Sequence, residues 1–352
     1  MSTLPPTRIA VIGAGAFGRN HIRVWRELQQ SDTRVELAAI VDPNESVSES
    51  LRQEFQVPVY RSIKDLLLSK TNVNAASVVV PTLQHAPVAT QLLRAGIDVL
   101  VEKPIAGSLQ EADSLIDLAR DYGRILQIGH LERFNPAILA IRSLVHQPLF
   151  FEIHRLSVFT PRSLDIDVVM DLMIHDLDLV LSFTQSAVRE LHAVGLPVLS
   201  SKIDIANVRI EFASGCVANF TASRVSTERV RKMRFFQPHQ YVSVDYARQD
   251  AFTIDVSRQH LYSSPSDAVP RPPQPAKSLL AELHHPTPEF TMRQLQISPG
   301  EPLQLELQSF LHAVRSRGTP AVTGQDGRAA LKLALDILEA IAAHQARTPL
   351  KS

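Results

Sequence analysis

Short apolar runs alternating with amphipathic stretches set the rhythm of the first third of the chain. Ile9 to Ile12, Val35 to Val41, Val57 to Tyr60, Ala75 to Val80, Asp98 to Glu102 and Ile125 to Ile128 are too short for helices and apolar enough for strands buried on both faces. Between them Glu45 to Phe55, Ile63 to Ser69, Gln84 to Ala95 and Ser108 to Tyr122 carry helical spacing, with Gly96 ending the third. Such strand-helix repetition predicts a parallel sheet covered by helices, closing a domain over residues 1–128.

After residue 128 the pattern changes. An amphipathic helix follows Pro136 to about His146, and then Phe150 to Val158, Val188 to Val194, Ile205 to Phe212, Cys216 to Ala222, Arg234 to Gln237, Tyr241 to Tyr246 and Phe252 to Val256 alternate as strands do. Ala213-Ser214-Gly215 reads as a hairpin turn. A second domain over residues 129–352, of α+β type with a large, mostly antiparallel open sheet, is the expectation. Ser263 to Pro302 is proline-rich and reads as an irregular excursion, while Leu303 to Val314 and Asp326 to Ala343 read as helices, the second opened by Asp326 as N-cap.

The most informative helix is Asp165 to Phe183, so apolar that it must be buried, yet Asp167, Asp171, His175 and Asp178 recur along it at spacings of four, four and three. Buried carboxylates and imidazole require pairing or a wet cleft. The stripe is therefore either an internal ion-pair network or a cleft wall in which Asp171 orients His175 one turn on. Ligands enough for a metal are not apparent, and none is expected.

The first strand runs into Gly13, Gly15 and Gly18, a G-x-G-x-x-G turn ahead of a helix, and the second strand ends in Asp42. The glycines suit a tight turn, close approach of a pyrophosphate and helix packing, and the acid sits near the position expected to accept from an adenosine ribose. This predicts an α/β, doubly wound Rossmann domain binding a dinucleotide, with NAD favoured over NADP because an acid opposes a 2'-phosphate.

The chain has 352 residues, 45% of them hydrophobic, enough for two cores. Lys plus Arg balance Asp plus Glu at 36 each, so no global field draws it to nucleic acid or an anionic membrane. One cysteine, Cys216, excludes an internal disulfide, and neither a signal peptide nor a membrane-spanning run is apparent, which together favour the cytoplasm.

Four motifs in order, G-A-G-A-F-G at Gly13 to Gly18, E-K-P at Glu102 to Pro104, G-H-x-x-R-F-N-P at Gly129 to Pro136 and D-x-x-x-H-D at Asp171 to Asp176, resemble the glucose-fructose oxidoreductase, inositol dehydrogenase and MocA family along essentially the whole chain. The resemblance implies a nicotinamide cofactor, oxidation or reduction at a sugar-like carbon, and Lys103, His175 and Asp171 as catalytic residues, with either Lys103 or His175 as base. It implies a cofactor set of Gly13, Gly15, Ala16, Phe17, Gly18, Asp42, Pro81, Thr82, His85, Glu102 and Lys103. H-L-E-R-F-N-P followed by H-R-L-S-V-F-T-P-R is most similar to the subgroup of nucleotide-sugar 3-dehydrogenases acting on UDP-N-acetylglucosamine. That subgroup feeds a pyridoxal-phosphate aminotransferase, for instance in building lipid A. A UDP-sugar needs cations for its diphosphate, so Arg133, Arg155 and Arg162 are candidates, joined by His130, Asn135, Asp171 and His175 as substrate contacts. A free sugar or inositol dehydrogenase, and a regulator that binds NAD only as a signal, are the alternatives. The uncovered sheet face, together with the family habit, implies a homo-oligomer, dimer or tetramer.

Overall fold

A computed structural model describes residues 5–160, 166–256 and 290–347. The first sheet is built from β1 (Thr7–Ile12), β2 (Val35–Val41), β3 (Val59–Tyr60), β4 (Ala75–Val78), β5 (Asp98–Glu102) and β6 (Leu126–Gly129). Helices α1 (Ala16–Ser31), α2 (Glu45–Phe55), α3 (Ile63–Leu68), α4 (His85–Arg94) and α5 (Leu109–Asp121) link them. All pairings are parallel and the order is β3-β2-β1-β4-β5-β6. The chain therefore reverses direction between β1 and β4, which opens a crevice at the carboxyl ends of those strands. Polar side chains cap three of these helices: Asn44 accepts from Ser46 N, Ser62 from Asp65 N and Ser108 from Glu111 N.

The second sheet has β7 (Phe150–Val158), β8 (Val188–Leu196), β9 (Ile205–Phe212), β10 (Val217–Ser226), β11 (Val230–Gln237), β12 (Gln240–Asp245), β13 (Asp250–Val256) and β14 (Phe290–Gln294), in the order β14-β13-β12-β11-β7-β10-β9-β8. Every pairing is antiparallel except β7 with β10. One face is covered by α6 (Pro136–Ile141), α7 (Ile174–Thr184) and the bridging helix α9 (Gly324–Arg347). There Ile174, Leu177, Ala334 and Ile337 pack on Phe151, Phe220 and Phe235, all buried. Cys216 belongs to this core, and burial pushes its thiol up to about 11.

Chain position and packing part company near the end. Helix α8 (Pro302–Ser316), although it follows the second sheet, sets Leu307, Phe310 and Leu311 into the core formed by Ile9, Val11 and Trp25 of the first domain. Helix α9 straddles both units, with Leu331 in the core of the first sheet and Ala334 in that of the second. Three local expectations need correction. Asp326 is not the N-cap of α9: Thr323 Oγ1 accepts from Asp326 N while Asp326 Oδ2 accepts from Thr323 N, a reciprocal capping box one turn earlier. Helix α6 ends at Ile141 and continues only as a 3-10 turn over Arg142–Leu144. The proline-rich stretch contains β14, whose sequence F-T-M-R-Q pairs with β13 at the sheet edge, and residues 257–289 lie outside the described set. Among the described residues no helix is long and apolar enough to cross a membrane.

Candidate active site

The glycine turn after β1 has the geometry a dinucleotide phosphate requires. Gly13 has φ +93°, and a Cβ there would meet Val79 O at 2.5 Å, so only glycine makes the turn. At Gly18 a Cβ would meet Gly13 O at 2.0 Å, whereas the space above Gly15 is open. No side chain caps the N-terminus of α1, and Ala16 and Phe17 are exposed, which leaves backbone N–H groups free for an anion. Asp42 has a second function that its spacing did not reveal: Oδ2 accepts from Ala14 N at 2.8 Å and Oδ1 from Asn44 N at 2.9 Å. The carboxylate thus pins the glycine turn while its remaining lone pairs suit ribose hydroxyls. These residues fit NAD.

Beside the turn, between the two domains, lies a cavity of about 950 Å³. Its wall includes Phe17, Pro81, Thr82, His85, Glu102, Lys103, Arg155, Asp171 and His175 from the expected set. Two of these are occupied as struts. His85 places Nδ1 2.7 Å from Pro104 O and Nε2 2.8 Å from Val80 O, tying together the chain beyond β4 and β5. Glu102 Oε1 lies 3.1 Å from Nε2 of the buried His21.

Lys103, just past β5, extends its ammonium to the helix entering the second domain, where Nζ donates to Asp171 O at 2.7 Å and lies 3.9 Å from Asp171 Oδ1. The acceptor belongs to a π-turn over Val169–Met173 that precedes α7, an irregularity common at functional sites. Burial lowers the Lys103 pKa below its usual 10.5, against the opposing pull of Asp171 and Glu102. His175 follows on α7. Burial first, then the charges of Lys103 and Arg155, push it well below the usual 6.5, so the ring is neutral. Its Nδ1 is buried without a hydrogen-bond partner, and Nε2 is the nitrogen open to the cavity. Asp171 therefore does not hold the ring through Nδ1 as the four-residue spacing suggests; its carboxylate faces Lys103 instead.

Most other motif residues form the framework behind this pair. Arg155 Nε and Nη2 donate to the two oxygens of Asp176 at 2.6 and 2.9 Å, and Nη1 donates to Glu132 at 2.9 Å. Arg133 makes a bidentate pair with Asp178 at 2.7 and 2.6 Å and approaches Asp326. Two buried clamps thus join the segment after β6 to α7 and fix the pitch of His175. Arg133 is outside the cavity wall, and Arg155, although in it, is committed to carboxylates, so the diphosphate role expected of both is not what their partners indicate. Asn135 caps α6 through Ala137 N and donates to Tyr246 O, and His130 is buried away from the cavity wall, 3.9 Å from Asp178. Neither faces substrate space. Asp178, the last member of the polar stripe, is also turned away, while Asp167 lines the cavity and accepts from Ile203 N. Arg162 lies outside the described residues. The sequence reading missed Glu132 and Arg231 in the wall. Arg231 was missed because the charged run R-V-R-K reads as a loop, although β11 begins at Val230.

Comparison with known proteins places this geometry in context. A family model described as an oxidoreductase family with an NAD-binding Rossmann fold matches residues 7–130, and the GFO/IDH/MocA C-terminal domain matches residues 137–237. The chain is 34% identical over 337 residues to UDP-N-acetylglucosamine 3-dehydrogenase of Acidithiobacillus ferrooxidans, covering 96% of this chain and 97% of that one. A solved structure of that enzyme superimposes with a TM-score of 0.82 at 32% identity, covering 97% and 99% of the two chains. The scyllo-inositol 2-dehydrogenase (NAD(+)) of Bacillus subtilis is 24% identical over 234 residues, 62% of this chain and 68% of that one.

Proposed function

The chain belongs to the GFO/IDH/MocA family of oxidoreductases, is an NAD-dependent dehydrogenase, and we propose that its substrate is a UDP-N-acetylglucosamine-type nucleotide sugar oxidised at the C3 hydroxyl. The observation that carries the chemistry is the meeting of the Lys103 ammonium and the neutral His175 ring in one cavity beside the glycine turn. The substrate class rests on likeness to a 3-dehydrogenase of that sugar across nearly the whole chain. NAD, when bound, supplies the hydride acceptor. The chain contributes three things. His175 Nε2 takes the hydroxyl proton, Lys103 donates to the same oxygen and stabilises its developing charge, and Asp171 holds Lys103 in place through its carbonyl and carboxylate. A sensor that only bound NAD would have no use for such a pair.

In this reading the product is a 3-keto sugar, which passes to a pyridoxal-phosphate aminotransferase to give a 3-amino sugar of the kind used in amide-rich lipid A, in the cytoplasm and from a homo-oligomeric enzyme. The test is a panel of UDP-sugars, free sugars and inositols offered with NAD and followed by NADH absorbance. UDP-N-acetylglucosamine is expected to be oxidised in preference to N-acetylglucosamine and inositol. Turnover confined to free sugars or inositols would overturn the substrate assignment, and no turnover with any of them would favour the regulator.

A further inference from the structure

We propose that Arg231 is the residue that anchors the diphosphate of the nucleotide-sugar substrate. Four carboxylates line the cavity against three cations, Lys103, Arg155 and Arg231, so an anionic ligand entering it needs a cation not already spent on the protein. Lys103 is engaged with Asp171, and Arg155 is closed around Asp176 and Glu132. The Arg231 guanidinium, by contrast, donates to no acceptor among the described residues, and its Nε is buried without a partner.

The strand register sharpens the point. Arg231 on β11 stands directly opposite Arg155 on β7, and like charges opposite each other across a sheet are unfavourable. Arg155 relieves its share by turning to Asp176 and Glu132. Arg231 is left half-buried and unpaired, with burial and the Arg155 charge both lowering its affinity for a proton, a cost that a bound anion offsets. A guanidinium presents parallel N–H donors that match two phosphate oxygens, so a diphosphate suits this position better than a neutral sugar.

This inference rests on the nucleotide-sugar reading, and the experiment separates the two. Wild type, R231A, R231Q and R231K would be compared by steady-state kinetics with UDP-N-acetylglucosamine, by calorimetric binding of UDP and of NAD, and by thermal unfolding. An anchor acting in the ground state predicts a KM for the UDP-sugar raised roughly 10- to 100-fold in R231A and R231Q, with kcat little changed. UDP affinity should fall in parallel, NAD affinity should stay at the wild-type value, the melting temperature of the ligand-free variants should not fall below wild type, and R231K should recover part of the loss. If wild type oxidises the UDP-sugar while R231Q keeps its KM and UDP affinity, Arg231 is not the anchor and the substrate reading stands. A kcat loss at unchanged KM would likewise overturn it by assigning Arg231 to the chemical step. If wild type neither binds UDP nor oxidises UDP-sugars, both readings fall together.

Discussion

At the scale of single residues, the environments of Lys103 and His175 divide the acid-base work in a way that pH can read. A base acts unprotonated, and burial with nearby cations keeps His175 well below 6.5, so with His175 as base the rate is flat across neutral pH, falls in acid as the ring protonates, and falls again in alkali as Lys103 loses the ammonium that stabilises the developing charge. Were Lys103 the base, its ammonium would have to lose a proton first, and the rate would keep climbing through alkaline pH toward a value below 10.5. The expected profile is the first. His175→Ala and Lys103→Ala are each predicted to lower kcat roughly 10²- to 10⁴-fold while NAD binding persists, and a wild-type profile that still rises above neutrality would transfer the role of base to Lys103. Both residues were legible in the sequence because short motifs on predicted elements marked them. What was not legible is which charges cancel: Arg133 and Arg155 look like free cations in a linear chain, and only folding shows Asp178, Asp176 and Glu132 closing on them.

At the scale of elements, the strands and helices of the first domain follow from periodicity, because each parallel strand is apolar on both faces and α2, α3 and α5 carry side-chain caps. The second sheet was harder. Its β11 begins in a charged run whose arginines turn to a cavity and to solvent, and its edge strand β14 is exposed along its length, so neither shows the apolar alternation expected of a strand. Helix α8 was read correctly as a helix, but nothing in its order along the chain says that it returns to the first domain. Its burial there explains Glu306, which is inaccessible, has both carboxyl oxygens unpartnered, and lies near the acids Glu102 and Asp178, while Gln127 Nε2 donates to its backbone carbonyl at 3.3 Å. Burial first, then those two acids, raise its pKa well above 4.5. Folded protein therefore binds this proton more tightly than unfolded chain does. The stability involved is present below the usual value and is lost as pH rises through the raised one. Glu306→Gln, with no proton to lose, is expected to melt at nearly constant temperature over that range and to exceed wild type by roughly 1–3 kcal/mol at alkaline pH. Melting curves of the two proteins that run parallel with pH would refute this.

At the scale of the whole molecule, the second sheet has one face under α6, α7 and α9 and no such cover on the other among the described residues. Register places Met292, Ile254, Tyr241, Phe236 and Phe150 in one row across β14, β13, β12, β11 and β7, since directly opposed residues point to the same side. Phe236 contacts both Phe150 and Tyr241, with ring centroids 5.7 and 4.9 Å apart, yet it is 39% exposed, and Met292 is 60% exposed. An aromatic row left open to water is costly unless another surface covers it. A second copy of the chain, related by a two-fold axis, would present the same row to itself and meet that requirement with one self-complementary patch. Polar neighbours such as the Arg234–Glu152 pair would lie at the margin of that patch and limit wider aggregation. The protein is therefore predicted to be a dimer or tetramer at micromolar concentration by light scattering. Phe236→Arg should shift it toward monomer while leaving NAD binding intact, because the glycine turn belongs to the other domain. Monomeric wild type, or a variant that assembles as before, would show that this face is not the interface.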